Sequence, residues 1–297
     1  MKLAAIDIGS NAVRLLIEEI IETNTGFHTQ KVSFTRIPLR MGEDVFEYGA
    51  ISHQKAVQLV KIMKAFWYLM DVQSVEFFRA CATSAMREAS NGEEIVAMVE
   101  REANVPIELI RGDEEADLIF DAFFQKKLTQ KKNYLSIDVG GGSTECTLIK
   151  KGQRIKAKSF KIGTVRTLKD KVKEEDWNDA RQWVKDLGES EKGLVGIATG
   201  GNINRIYKMS TGEPDGRMKT EELERIVKFL KRHTLDERMY KLGLKADRAD
   251  VIVPAGEIYL RILKKAGIEE FIIPKIGLSD GIIQGLYNKW KTPSKKG

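Results

Sequence analysis

Two segments of the chain share one pattern of apolar and polar positions. Leu3-Ala4-Ala5-Ile6-Asp7-Ile8-Gly9-Ser10 is matched by Tyr134-Leu135-Ser136-Ile137-Asp138-Val139-Gly140-Gly141. Each leads through a short polar stretch into a second apolar run, ending in Leu16-Ile17 and Leu148-Ile149. An apolar run that meets an aspartate and then glycine reads as a strand closing in a tight turn. Both segments therefore predict β-hairpins, with return strands over Ala12–Ile20 and Thr144–Lys150. After the first hairpin the pattern predicts a strand at Lys31–Leu39, a helix near Ser52–Met70 and a strand at Ser74–Ala82. A helix near Gly92–Ala103, a short strand at Ile107–Ile110 and a helix at Asp113–Lys126 follow. After the second hairpin come a strand near Arg154–Phe160, helices near Thr164–Lys173 and Asp176–Leu187, and a strand at Leu194–Ala198. Further helices, a strand at Phe271–Pro274 and a last helix near Ser279–Trp290 complete the series.

Alternating strands and helices, opened twice by the same hairpin, predict an α/β fold of two duplicated domains with a cleft between them. A length of 297 residues agrees with two domains. The expected division is 1–125 and 126–280, with a hinge near 123–132 and a helix at about 281–297 returning to the first domain. The basic tail Lys291–Gly297 is expected to fray.

Composition narrows the chemistry. With 42% hydrophobic and 31% charged residues the chain can build ordinary cores, which excludes disordered and fibrous classes. No apolar run approaches the roughly 18–20 residues of a membrane span, and Asp7 interrupts the N-terminal apolar stretch, so a cytoplasmic protein is expected. The two cysteines, Cys81 and Cys146, lie in no CxxC, and the three histidines have no i, i+4 pairing. Any metal should then be a hard ion held by oxygen, with Mg2+ the natural candidate. The net charge of +6 is unevenly spread. Residues 126–173 carry 14 Lys or Arg against Asp138, Glu145 and Asp170, while 93–122 hold ten acids against Arg101 and Arg111. The basic stretch lacks interleaved aromatics, which speaks against nucleic acid. Within it Arg154, Lys156 and Lys158 alternate with Ile155 and Ala157, a spacing that predicts three cations on one face of a strand, and Arg166 follows Gly163-Thr164 as another anion-site candidate.

Glycine-rich turns let backbone N–H groups converge on an anion, and Asp138-Val139-Gly140-Gly141-Gly142-Ser143-Thr144 is the strongest such segment. Alone it also fits an ordinary tight hairpin. Its pairing with Asp7-Ile8-Gly9-Ser10-Asn11 suggests two phosphate cradles, each with a carboxylate able to position Mg2+ and its waters. A third turn, Thr199-Gly200-Gly201-Asn202, is either an anion- or base-binding turn or a plain strand-to-helix connection.

These hairpins with a later Gly-Gly turn resemble the actin-like ATPase superfamily, whose domains are ribonuclease H-like. Within it, DIGSN at 7–11, ATSAMR at 82–87, GDEEA at 112–116 and IDVGGGSTE at 137–145 resemble the exopolyphosphatase and guanosine pentaphosphate phosphatase (Ppx/GppA) family. The resemblance implies two actin-like domains and hydrolysis of a terminal phosphoanhydride by an activated water. The substrate it implies is inorganic polyphosphate or pppGpp. It also implies Glu115 as the group that positions or deprotonates water and Arg87 as a phosphate contact. Asp138, Glu145 and Asp7 would serve the metal, and Ser10, Asn11, Gly140, Gly141, Gly142 and Ser143 the phosphates. From the residues alone, Glu115 reads as structural, one of three acids offsetting the dipole of a helix start. Its spacing to Leu118 and Ile119 places it on the inward side, and Glu114 elsewhere. Larger family members carry a further C-terminal helical domain, so a homodimer is expected to extend the substrate track. Gly277-Leu278-Ser279-Asp280-Gly281 departs from the family's Arg-Glu before glycine. The expected activity is an exopolyphosphatase; a pppGpp 5'-phosphohydrolase and a nonenzymatic alarmone sensor are the alternatives.

Overall fold

The computed structural model describes residues 1–24, 26–127, 132–210 and 215–291, with side chains for all of these except 123–127. The chain divides into two compact units, residues 1–122 with those from 277 onward, and residues 123–276. The hinge expected at 123–132 and the fraying tail lie largely outside the described residues.

In the first unit the elements run β1 (Lys2–Ile8), β2 (Ala12–Thr23), β3 (Gly26–Pro38), α1 (Met41–Tyr48), α2 (His53–Val72), β4 (Phe77–Ala82), α3 (Ser84–Glu88), α4 (Gly92–Ala103), β5 (Ile107–Leu109) and α5 (Gly112–Lys127). The sheet order is β3-β2-β1-β4-β5. The first three strands form an antiparallel meander, and β4 and β5 add parallel to β1. Leu3 to Ile6 are fully buried, as a strand with both faces covered requires.

The second unit contains β6 (Tyr134–Val139), β7 (Thr144–Lys150), β8 (Gln153–Phe160), α6 (Thr164–Leu168), α7 (Glu174–Ser190), β9 (Val195–Thr199), α8 (Gly201–Tyr207), β10 (Arg217–Lys219), α9 (Thr220–Arg232), α10 (Leu235–Tyr240), α11 (Ala246–Ala249), α12 (Ile252–Lys265) and β11 (Glu270–Ile272). Its sheet, β10-β11-β9-β6-β7-β8, again pairs an antiparallel meander with parallel strands, β9 and β11, on the far side of the first, and β10 adds antiparallel at the edge. The duplication seen in the hairpins thus extends to the sheets: each is mixed, and each is flanked by helices in an α/β arrangement.

Helix α13 (Leu278–Lys291) belongs to the first unit, where it packs on β1, β2 and β4. Its Leu278, Ile282, Ile283 and Tyr287 form one cluster with Leu3, Ala5, Leu16 and Leu118. In the second unit a core joins the faces of β6, β7 and β9 to Trp183, Leu223, Val227, Ile258 and Leu263.

Several elements differ from expectation. The β2–β3 pairing runs from Ala12↔Pro38 to Thr23↔Gly26, longer than the apolar pattern suggests, because backbone pairing continues where the side chains are exposed and polar. Helix α6 ends at Leu168 rather than continuing, since Asp170 adopts a left-handed φ of 51°. Among the described residues no helix is long and apolar enough to cross a membrane.

Candidate active site

The two hairpin turns are built alike. In the first unit the Gly9 N–H donates to Ala12 C=O at 3.1 Å, and in the second the Gly140 N–H donates to Ser143 C=O at 2.9 Å. Each turn is then gripped by the helix that follows the third strand. Ser10 C=O accepts from Gly42 N–H at 2.8 Å and Asn11 C=O from Arg40 N–H at 3.1 Å, at the start of α1. Gly140 C=O accepts from Thr164 N–H at 3.0 Å and Gly141 C=O from Val165 and Arg166 N–H, at the start of α6. The Arg166 side chain adds a bond from Nε to Gly142 C=O at 2.9 Å. Such an approach leaves no room for a side chain: a Cβ on Gly163 would lie 2.4 Å from Gly141 O, and one on Gly42 would lie 2.9 Å from Ser10 Cβ.

This grip orients the loop. Three successive carbonyls, of Gly140, Gly141 and Gly142, face α6. No peptide here is cis, and in a trans peptide the N–H points opposite to the C=O. The N–H groups of Gly141, Gly142 and Ser143 therefore all point away from α6, the arrangement of an anion-binding nest. Arg166, expected to bind an anion itself, is buried and serves instead to hold this loop.

Beside the loop stand two carboxylates. Asp138 on β6 and Glu145 on β7 are cross-strand partners, and their oxygens lie within 4.8 Å of one another. Glu145 accepts from Ser159 Oγ at 2.8 Å, and Asp138 Oδ1 accepts from Thr199 Oγ1 on β9. In the first unit Asp7 is the topological counterpart of Asp138, yet its carboxylate is ion-paired to Arg14, its own cross-strand partner. Ser10 is buried, and its Oγ lies 2.9 Å from Ser84 Oγ.

The acids opening α5 separate by position. Asp113 pairs with exposed Arg111, and Glu114 with Arg79, which also binds Glu108 at 2.7 Å. Glu115 alone is buried, 8% exposed. Arg87, on α3, donates from Nη1 to Ile110 C=O at 2.6 Å, tying α3 to the segment that leads into α5. Cys81 and Cys146 are buried, and burial pushes both thiols up, Cys81 to about 12.

Comparison with known proteins agrees with this architecture. The model of the Ppx/GppA phosphatase family matches residues 20–289. The chain belongs to that family. It is 26% identical over 303 residues to Exopolyphosphatase 1 of Mycobacterium tuberculosis H37Rv, covering 95% of this chain and 87% of the relative. It is 23% identical to a guanosine-5'-triphosphate,3'-diphosphate pyrophosphatase of Aeromonas hydrophila, covering 95% of this chain and 59% of that one. A solved exopolyphosphatase from Cytophaga hutchinsonii superposes with a TM-score of 0.83 at 22% identity, covering 97% of this chain and 98% of that one. The Aquifex aeolicus member of the Ppx/GppA family superposes at 0.77 with 24% identity, covering 98% and 99%.

In this Ppx/GppA family member one sequence reading needs correction. Arg154, Lys156 and Lys158 do not share a face, because the β7–β8 register shifts: Arg154 pairs with Ile149 and Lys156 with Leu148, leaving Ile155 as a bulge. Consecutive residues of β7 face opposite sides, so Arg154 lies across the sheet from Lys156. Lys158 is bound to Asp179 at 2.7 Å, and Lys156 sits over the Trp183 ring. The Gly200-Gly201 turn is covered by its own chain, with Arg248 against Gly201 and Arg248 Nη1 3.4 Å from Asn202 Oδ1. Sequence reasoning missed Arg166 as a loop clamp and Tyr259 beneath Asp138. The Gly163-Thr164 start was visible; the tyrosine, in an apolar helix stripe, carried no signal.

Proposed function

We propose that this protein is an exopolyphosphatase, which removes the terminal phosphoryl group of inorganic polyphosphate with water. The observation that carries this reading is the oriented loop at 140–143, three amides aimed one way beside the Asp138–Glu145 carboxylate pair. The exopolyphosphatase relative matched over 87% of its length, against 59% for the pppGpp-directed one, favours the polymer as substrate.

The carboxylates of Asp138 and Glu145 are hard oxygen donors on one face of a hairpin, and they suit Mg2+. When bound there, Mg2+ would offset charge on the phosphates. Asp7, already neutralised by Arg14, is less suited as a ligand, and we assign it to fixing Arg14 and the first turn. The amides of Gly141, Gly142 and Ser143 hold phosphate oxygens, with Ser10 and Asn11 as the equivalent groups of the first turn. Glu115 orients the attacking water and takes its proton as the new P–O bond forms. The anhydride P–O bond breaks, and the shortened chain leaves as an anion. Arg87 offers its remaining guanidinium N–H groups to the transferred phosphoryl. Two buried, unpaired thiols fit a cytoplasmic setting.

The test is phosphate release with Mg2+ from long-chain polyphosphate and, separately, from pppGpp and ATP, with wild type beside Glu115→Gln. Faster turnover of polyphosphate, with Glu115→Gln at least about 100-fold slower but still binding polymer, supports the reading. Preferential turnover of pppGpp would replace the substrate. Tight pppGpp binding with no hydrolysis of any substrate would make the chain a sensor and withdraw the role of Glu115.

A further inference from the structure

The residue behind the Asp138 carboxylate is held from below. Tyr259, on α12, is fully buried, and its phenol oxygen lies at the point where β6 and β9 leave the sheet together. It accepts from Val139 N–H at 3.2 Å and donates to Thr199 C=O. Val139 follows Asp138, and Thr199 is the cross-strand partner of Asp138 in the parallel β6–β9 ladder. The Thr199 hydroxyl, itself 1% exposed, donates to Asp138 Oδ1. A chain of three groups thus runs from the helix core to the carboxylate: phenol, threonine, aspartate.

The surroundings keep this chain closed. Gly200, next along from Thr199, has φ of 109°, a conformation that side chains rarely adopt. A Cβ there would stand 3.4 Å from both Asp138 Oδ1 and the Tyr259 hydroxyl. A buried hydroxyl with both its donor and its acceptor capacity engaged has one orientation, because leaving either unmet is unfavourable.

We propose that Tyr259 and Thr199 are positioning residues for the metal-holding carboxylate of Asp138: the phenol fixes Thr199, and Thr199 fixes the carboxylate. The inference rests on the metal-holding role of Asp138 argued above. Partners of this kind orient a ligand without touching the ion, and their loss typically weakens metal binding 10–100-fold.

The experiment is calorimetric titration of the protein with Mg2+ alone, without substrate, for wild type, Asp138→Asn, Thr199→Val, Thr199→Ser and Tyr259→Phe, each checked by its thermal midpoint. Asp138→Asn should abolish binding. Thr199→Val, which keeps the shape and loses the hydroxyl, should weaken binding about tenfold, and Thr199→Ser should restore it to within about twofold. Tyr259→Phe should weaken it to a lesser degree, and the Mg2+ concentration for half-maximal phosphate release should rise in step. Normal Mg2+ binding by folded Thr199→Val and Tyr259→Phe, with Asp138→Asn inactive in binding, overturns the proposal and leaves Asp138 as a ligand. Normal binding by Asp138→Asn overturns the ligand role itself, and the proposal with it.

Discussion

At the residue scale, the same amino acid means different things according to what faces it. Asp7 and Asp138 occupy equivalent positions in two equivalent hairpins, yet one meets a guanidinium and the other a neutral hydroxyl. The aspartates, glycines and Glu115 were legible because each lies within a short local pattern. Tyr259 and Thr199 were not, since they reach Asp138 from 121 and 61 residues away and nothing in their own segments marks them. Gly163 offers a direct check on the loop. Alanine there would place its Cβ 2.4 Å from Gly141 O, so either the loop or α6 must shift. Overpacking of this kind costs about 1–3 kcal/mol, and the displaced amides should raise KM for polyphosphate. Urea unfolding and steady-state kinetics on Gly163→Ala measure the two effects. An unchanged KM would mean that the amides do not hold the substrate.

At the element scale, strands and helices with a full apolar stripe could be read from the sequence, while register could not. The bulge at Ile155 is a shift of one residue, invisible in a strictly alternating pattern, and it dissolves the expected row of cations. Helix α1 was also missed, because its eight residues make little more than two turns. Helix α10 shows a local signal that does hold. Thr234 caps it, accepting from Glu237 N–H at 3.2 Å, while the Glu237 carboxylate accepts from Thr234 N–H at 3.0 Å. Thr234→Ala should cost about 1 kcal/mol, read as a shift in the denaturant midpoint. The Lys241 ammonium, and then the Thr234 backbone, hold the Glu237 carboxyl down to about 2. Because this pKa is depressed, the support it gives is present above the usual glutamate range and is lost as pH falls toward about 2. Carboxyl NMR titration should find that midpoint, and Lys241→Ala should move it up toward the usual value of about 4.3.

At the scale of the whole molecule, each unit has a core of its own, and the first core is completed by the end of the described chain. Tyr287 is 1% exposed, its ring centroid 4.1 Å from that of Phe27, and its hydroxyl 2.9 Å from Glu22 Oε1. Tyr287→Ala should cost about 3–5 kcal/mol. Hydrogen exchange should show the loss in residues 1–122 and leave the protection of 133–276 unchanged. The duplicated hairpins announced two units, and a last helix returning to the first was also expected; the contacts that hold it there, such as Tyr287 to Glu22, join residues 265 positions apart.

That return of α13 has a consequence during synthesis. The strands of the first sheet emerge from the ribosome early, but the helix that packs on Leu3, Ala5 and Leu16 follows only after the whole second unit. At about 5–20 residues per second, roughly ten seconds or more separate the two. Throughout that interval the part of the apolar sheet face that α13 covers lies open, so the nascent chain should need shielding that the mature protein does not.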